Sequence, residues 1–93
     1  MIDADTKTKV LGRLRRIGGQ VQGIQRMVED DKDCVEILHQ FAAVQGAVDQ
    51  AQKLLLGQHV ESCVADALRS STSRERQKKV SDLIEVFCRF SGR

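Results

Sequence analysis

Apolar residues recur along the chain in steps of three and four, the spacing of helices with one buried face. The first run starts at Val10 and ends in an acidic cluster at Asp30 and Asp31. A second run occupies about 34–69, and a third follows Thr72. We therefore predict an all-α chain, a three-helix protomer with a long central helix.

Two capping signals mark where the second and third helices begin. Asp33 is followed three residues later by Glu36, and Thr72 by Glu75, which is the capping-box spacing. Proline, which breaks helices, is absent from the sequence, and Gly57 is the one interruption of the central apolar pattern. The pattern places one set of apolar residues on one side of the third helix: Val80, Leu83, Ile84, Phe87 and Phe90.

The central helix is too long to be covered by its own chain. At 1.5 Å per residue it would span about 54 Å, whereas a compact domain of this size has a radius of gyration near 13 Å, a rough expectation from chain length. Small residues, which allow close helix packing, occupy its middle: Ala42, Ala43, Gly46, Ala47 and Ala51. We predict an obligate homo-oligomer. With no repeat or linker, residues 1–93 are predicted to form one domain.

Two thiols and one imidazole lie on a single stripe of the central helix. His59 and Cys63 are four residues apart, and Cys34 is in nearly the same angular register, but about 37 Å away along the axis. Two central helices packed antiparallel about a two-fold axis near Ala47 and Val48 would bring Cys34 of one chain to His59 and Cys63 of the other. The dimer would then carry two identical Cys-His-Cys sites.

This donor set predicts a soft or borderline metal. Two thiolates and one imidazole suit Cu(I) or Zn(II), and three ligands without a fourth favour trigonal Cu(I), one per protomer. The competing interpretation is that each Cys is a small buried hydrophobe. His39 and Cys88 are assigned no functional role.

Charge and composition narrow the setting of the protein. Charged residues make up 30% of the chain and hydrophobic ones 41%, which is typical of a globular protein, and no apolar run approaches the ~20 residues needed to span a membrane. The start has no secretory signal, and three Cys, an odd number, indicate thiols or ligands in a reducing compartment. We expect a cytoplasmic protein without a membrane partner.

The first helix is the basic part of the chain. Lys9, Arg13 and Arg16 share one of its faces, Arg15 lies at the edge of that face, and Lys53 could join from the central helix. Such a stripe suits a polyanion, although basic helix faces are commonly only solvated.

The segment 13–20, Arg-Leu-Arg-Arg-Ile-Gly-Gly-Gln, resembles the R-[LV]-x-R-I-x-G-Q signature of the CsoR/RcnR/FrmR family of bacterial metal- and stress-sensing repressors. Asp33-Cys34, segment 42–47 and segment 59–63 continue the resemblance, which covers roughly 6–90. It implies an antiparallel dimer assembled into a dimer-of-dimers tetramer. It also implies binding of double-stranded operator DNA through Arg13, Arg15 and Arg16, relieved when the effector binds.

Within this family the sequence most resembles the copper-sensing CsoR branch, which uses the positions of Cys34, His59 and Cys63 as Cu(I) ligands. Nickel and cobalt sensors commonly have His at the position of Cys63 and a further His near the N-terminus, which residues 1–10 lack. Persulfide sensors keep both Cys but lack the His. Two alternatives remain. One is sensing of nickel or cobalt, and the other is sensing of persulfide through Cys34 and Cys63.

Functions of other classes are less well supported by the residues. A thiol enzyme would be expected to carry a CxxC motif or a Cys/His pair from separate segments of one chain, and neither is evident. We therefore expect no enzymatic activity. A helical scaffold or metal-buffering protein that never binds DNA is the other alternative.

Overall fold

The computed structural model describes residues 2–70 and 72–90, and these residues form three α-helices. They are α1 (Ala4–Glu29), α2 (Cys34–Arg69) and α3 (Ser73–Phe90). The three-helix prediction and the bounds of the long central helix are confirmed.

Local side-chain and backbone signals set the ends of α1. Asp3 caps its start, because the carboxylate Oδ1 accepts the Thr6 N–H at 2.7 Å. At its end Asp31 adopts a left-handed conformation, φ 54°, which Asp tolerates better than most residues. The N–H of Asp31 then donates to the Val28 carbonyl and that of Lys32 to the Met27 carbonyl, which is the Schellman pattern that stops a helix.

The predicted caps of α2 and α3 are both present. The Glu36 N–H donates to the Asp33 carboxylate at 3.3 Å, and the Glu75 N–H donates to the Thr72 hydroxyl at 3.1 Å. Each bond satisfies a helix-start N–H group that has no partner within its own helix.

Both shorter helices run antiparallel to α2 and pack along it, and among the described residues α1 and α3 do not contact each other. The start of α1 lies beside the second half of α2, where the Asp3 N–H donates to Gln58 Oε1 at 3.0 Å. The end of α3 lies near the middle of α2, where Gln52 donates to the Phe90 carbonyl at 3.3 Å. Of the described residues, those of α1 alone cover the first half of α2.

The turn between α2 and α3 is fixed by Arg76. Its guanidinium donates to the carbonyls of Ala67, at 3.3 Å, and Ser70, at 3.1 Å. Ser70 is itself buried and donates its hydroxyl to the Asp66 carbonyl. These bonds satisfy carbonyl groups at the end of α2 and anchor the start of α3.

A single chain buries little of its apolar surface. The buried hydrophobic residues among those described are Val10, Ile17, Ile24, Ala51 and Ala67. The chain exposes 7367 Å², whereas a compact monomer of its mass would expose about 5,400 Å². Its radius of gyration is 18.3 Å and its long dimension 61 Å, against a radius of about 12–13 Å for a compact chain of this length. The protomer is an open, elongated layer of helices.

The apolar side predicted for α3 is only partly covered by the described residues of the chain. Leu83 is half-buried, whereas the other four residues of that side remain exposed: Val80, Ile84, Phe87 and Phe90. Val86, which the pattern did not single out, is half-buried and faces α2. The apolar residues of α3 span roughly 160° around its axis, so that periodicity alone does not determine which of them face α2.

None of the helices within the described residues is long and apolar enough to cross a membrane.

Candidate metal centre and basic face

His59 and Cys63 form a donor pair on one turn of α2. The Cys63 Sγ lies 3.4 Å from the His59 Nε2, with the imidazole exposed and the thiol half-buried. With metal–sulfur and metal–nitrogen bonds of about 2.3 and 2.0 Å, angles of 110–120° separate the two donors by about 3.5–3.7 Å. The pair is therefore already within a few tenths of an ångström of the spacing that a shared metal ion requires.

Cys34 lies far from this pair in the same chain. It is the first residue of α2 and is exposed. The helix between Cys34 and His59 is uninterrupted, so the two remain about 37 Å apart along the axis. Within residues 2–70 and 72–90, no three His, Cys, Asp or Glu side chains are grouped so that they could hold a metal ion. Of the three predicted ligands, one chain brings together His59 and Cys63 and leaves Cys34 apart.

An exposed apolar stripe continues from Cys34 along α2. Phe41 and Val48 follow Cys34 at intervals of seven residues, which keeps all three on nearly the same side of the helix. Phe41 is 47% exposed and Val48 is 42% exposed. The stripe that carries the predicted ligands is thus left partly uncovered by the described residues in the first half of α2.

His59 borders two cavities that the sequence did not predict. One, of about 330 Å³, lies between α2 and α3 and has an almost entirely apolar lining that includes Leu56, Val86 and Phe90. The other, of about 240 Å³, is lined by Ile2 and Gln58 together with His59. Ile2 and Asp3 therefore approach the turn of α2 that carries His59. Sequence spacing carries no signal for this proximity, because Ile2 and Asp3 are more than fifty positions from His59.

The predicted cationic residues are all at the surface. Lys9, Arg13, Arg15 and Arg16 are exposed on α1, and Lys9 Nζ lies 3.1 Å from the Asp5 carboxylate. Both partners of that ion pair are more than half exposed, so solvent screening leaves it weak. Lys53 is also exposed, on the opposite side of α2 from the buried Ala51. These side chains are available to a polyanion.

The all-α protomer thus combines a thiol–imidazole pair with an exposed basic helix. A metal-responsive DNA-binding protein can use this combination. Residues 6–89 match the family described as metal-sensitive transcriptional repressor, and the chain belongs to this family. It is a family of repressors and not of enzymes, which confirms the expectation of a non-enzymatic protein.

Among the relatives, the chain is 45% identical to the copper-sensing transcriptional repressor CsoR of Bacillus subtilis, over 91% of this chain and 81% of that protein. Its fold is similar to that of the copper-sensing repressor CsoR with Cu(I) from Geobacillus thermodenitrificans. The two structures superpose with a TM-score of 0.78 at 36% sequence identity, and the comparison covers 98% of this chain and 94% of the other. The nickel-responsive regulator InrS is also similar, with TM-score 0.77, 34% identity, and coverage of 89% and 90%. The resemblance to the family, and within it to the CsoR branch, is confirmed.

Proposed function

We propose that this repressor senses copper, binding operator DNA when metal-free and releasing it when Cu(I) binds. The observation that carries the proposal is the preformed His59–Cys63 pair, two donors of a soft set, on the apolar stripe that also holds Cys34. The similarity to two copper-sensing repressors, one of them described with Cu(I), supports the same metal.

The proposed metal site combines ligands from two chains. His59 and Cys63 come from one protomer and Cys34 from its partner, because the length of α2 keeps Cys34 out of reach within one chain. An antiparallel α2 pair supplies the missing thiolate at both ends of the dimer. Each dimer then holds two Cu(I) ions, one per protomer.

The exposed surface supports the assembly. One chain exposes roughly 2,000 Å² more than a compact monomer of its mass, and a stable interface typically buries about 800 Å² on each partner. Dimerisation along α2 would cover one part of this excess, and pairing of dimers into a tetramer another. In this proposal residues 1–93 act as one sensing and DNA-binding unit in the cytoplasm. Met1, Ser71 and residues 91–93 of that unit lie outside the described residues.

The proposed DNA surface is the basic face of α1. Arg13, Arg15 and Arg16 would contact phosphates and guanine edges, Lys9 would extend the same face, and Lys53 would add a cation from α2. Four copies of this surface in a tetramer compensate for a net charge of only +2 per chain.

Metal would act by selecting between two arrangements of the protomers. Ligands drawn from two chains fix the relative placement of those chains when they bind one ion. If the fixed arrangement presents the α1 surfaces less favourably to DNA, Cu(I) lowers DNA affinity, and an allosteric coupling of about 1–3 kcal/mol is typical.

Nickel is the second candidate effector, because the similar structure of InrS is that of a nickel-responsive regulator. The His59–Cys63 pair could also enter a Zn(II) or Ni(II) site, but each metal would require further donors. Persulfide sensing would instead use Cys34 and Cys63 as thiols, with His59 uninvolved. Titration of the repressor–DNA complex with Cu(I), Ni(II) and an organic persulfide separates these three effectors.

The intersubunit site is tested by mixing two inactive variants. Cys34→Ala and Cys63→Ala dimers each lack one ligand from every site. In a mixed dimer, the intact Cys34 of one chain meets the intact His59–Cys63 pair of the other. A fully exchanged equimolar mixture should therefore recover about one tight Cu(I) per four chains, because half the dimers are mixed and each holds one complete site.

Cu(I) competition with a chromophoric chelator measures this recovery, and mass spectrometry of isotopically labelled chains verifies subunit exchange. Cys88→Ala, which removes an exposed thiol of α3, is the matched control and should keep one Cu(I) per chain. No recovery after verified exchange would contradict the two-chain site, and full binding by either single variant would contradict the ligand set.

A further inference from the structure

The two ends of the protomer carry opposite charge. Segment 29–36, where α1 ends and α2 begins, holds five carboxylates and one lysine, and segment 69–79, where α2 ends and α3 begins, holds five cations and one carboxylate. We call these segments the acidic corner and the basic corner. Their principal charges are all exposed: Glu29, Asp30, Asp31, Asp33 and Glu36 in the first, and Arg69, Arg74, Arg76, Lys78 and Lys79 in the second.

Local helix stability does not account for several of these charges. Glu29 and Asp30 lie at the C-terminal end of α1, and Arg74 lies in the first turn of α3. Each carries the sign of charge that the helix dipole disfavours at that end. Among the described residues, the carboxylates of the acidic corner and the cations of Arg74, Lys78 and Lys79 form no ion pair within their own chain. A partner of opposite charge outside the chain would offset this cost.

One chain keeps its two corners apart. The guanidinium of Arg76 donates to the Ala67 carbonyl, and this contact sets how far α3 is shifted along α2. Because the two helices are antiparallel, positions 78–79 are level with about residues 63–65 of α2. That level is roughly 45 Å along the helix axis from the acidic corner. The corners therefore cannot pair within one protomer.

The proposed antiparallel dimer brings unlike corners together. A two-fold axis near Ala47 and Val48 places residues 63–65 of one chain level with about residues 30–32 of the partner subunit. The side chains at positions 78–79 then lie at the level of the partner's acidic corner, and two-fold symmetry repeats this pairing at the other end of the dimer. Parallel helices would instead place like charge beside like, so the charges favour the antiparallel order.

We propose that the acidic corner of one protomer and the basic corner of a second copy form an ionic clasp at each end of the dimer. This inference rests on the antiparallel pairing of α2 in the proposed function. Lys78 and Lys79 are the cations level with the partner's carboxylates. Asp33 directly precedes Cys34, so the clasp positions the thiolate that the His59–Cys63 pair of the other chain lacks. The metal site is incomplete without the second chain, and the clasp selects the register that completes it.

Charge reversal tests the clasp without altering a proposed ligand or DNA contact. Lys78→Glu/Lys79→Glu removes the net charge of the basic corner, and Glu29→Lys/Asp30→Lys removes that of the acidic corner. Lysine at the end of α1 is favoured by the helix dipole, and glutamate has a helix propensity close to that of lysine, so both variants should fold. Lys7→Glu/Arg89→Glu is the matched control, because it changes the net charge equally but lies outside both corners.

Sedimentation equilibrium of the metal-free protein measures the dissociation constant of the dimer. Each corner variant should raise it about ten- to a hundredfold, the range expected when several exposed ion pairs are lost at two ends, and the control should stay within about threefold of wild type. The four-substitution variant that combines both pairs should be no weaker than either pair alone, because the two corners act on each other. The differences should shrink between about 0.1 M and about 1 M salt, as the Debye length falls from about 10 to 3 Å.

Cu(I) binding reports whether the clasp helps to complete the metal site. Near the wild-type dissociation constant, chelator competition should show weaker Cu(I) binding by Lys78→Glu/Lys79→Glu, since a dissociated chain lacks the second thiolate. The control should bind Cu(I) as the wild type does.

Carbodiimide coupling locates the contact directly, because it joins a lysine amine to a carboxylate only where the two groups already touch. Mass spectrometry of the coupled wild type should find segment 29–36 joined to segment 74–79. A mixture of isotopically light and heavy chains should show that the joined segments come from different chains.

Several results would overturn the clasp. They are a dissociation constant of Lys78→Glu/Lys79→Glu equal to that of the control, additive effects of the two pairs, or the absence of joined segments. If the mixed Cys34→Ala and Cys63→Ala dimers still recover Cu(I) in that case, the two-chain site stands without the clasp. Joined segments in a protein whose mixed dimers recover no Cu(I) would support the clasp and contradict the proposed ligand set alone.

Discussion

Phe41 is the side chain on which the proposed α2–α2 interface can be tested most quantitatively. It is 47% exposed in the protomer and lies on the stripe that begins at Cys34. For an aromatic side chain of about 200 Å² this leaves roughly 90 Å² to be buried by a partner, a contribution of about 2 kcal/mol. Two-fold symmetry places the ring in the interface twice, so that Phe41→Ala should weaken the dimer by about 4 kcal/mol.

This destabilisation corresponds to a rise of about a thousandfold in the dimer dissociation constant. Sedimentation equilibrium over a concentration series measures that constant, and circular dichroism at each concentration reports whether the released chains stay helical. Leu68→Ala is the control, because Leu68 is 76% exposed but lies 27 residues from Phe41, about half a turn around α2. The control should leave the dimer intact. A dissociation constant within about tenfold of wild type for Phe41→Ala would refute the assignment of this stripe to the dimer interface.

Two further predictions concern α1. The double variant Arg13→Ala/Arg16→Ala should weaken DNA binding and reduce the log–log salt slope by about 0.9 for each phosphate that is no longer neutralised, with little change in Cu(I) affinity. Arg69→Ala, which removes a surface arginine paired with Asp66, is its control, and an unchanged slope in the double variant would place the DNA surface elsewhere. Gly19→Ala should raise the free energy of unfolding by up to about 1 kcal/mol, because an added Cβ meets no atom of the described residues within 4 Å. Chemical denaturation measures this gain, and a destabilised variant would mean that a second chain packs against Gly19.

Much of the fold was predictable because its determinants are local in the sequence. The 3.6-residue period defines the helices, and the caps at Asp33 and Thr72 require only residues three positions away. The register of Cys34, His59 and Cys63 was also predictable, since an unbroken helix fixes both the angle and the distance between positions. The prediction of a partner chain follows from the same arithmetic, because a 36-residue helix is longer than its own chain can cover.

The tertiary structure was needed wherever residues distant in sequence come together. It selects Val86 to face α2 and leaves Ile84 exposed, a choice that depends on how α3 sits against α2 and not on apolar spacing within α3. It also brings Asp3 to Gln58, across a separation of 55 residues. Helical periodicity specifies the order of side chains around one axis, whereas such contacts depend on how two axes are placed relative to each other. That placement is set by packing along the whole length of α2, which a local pattern does not encode.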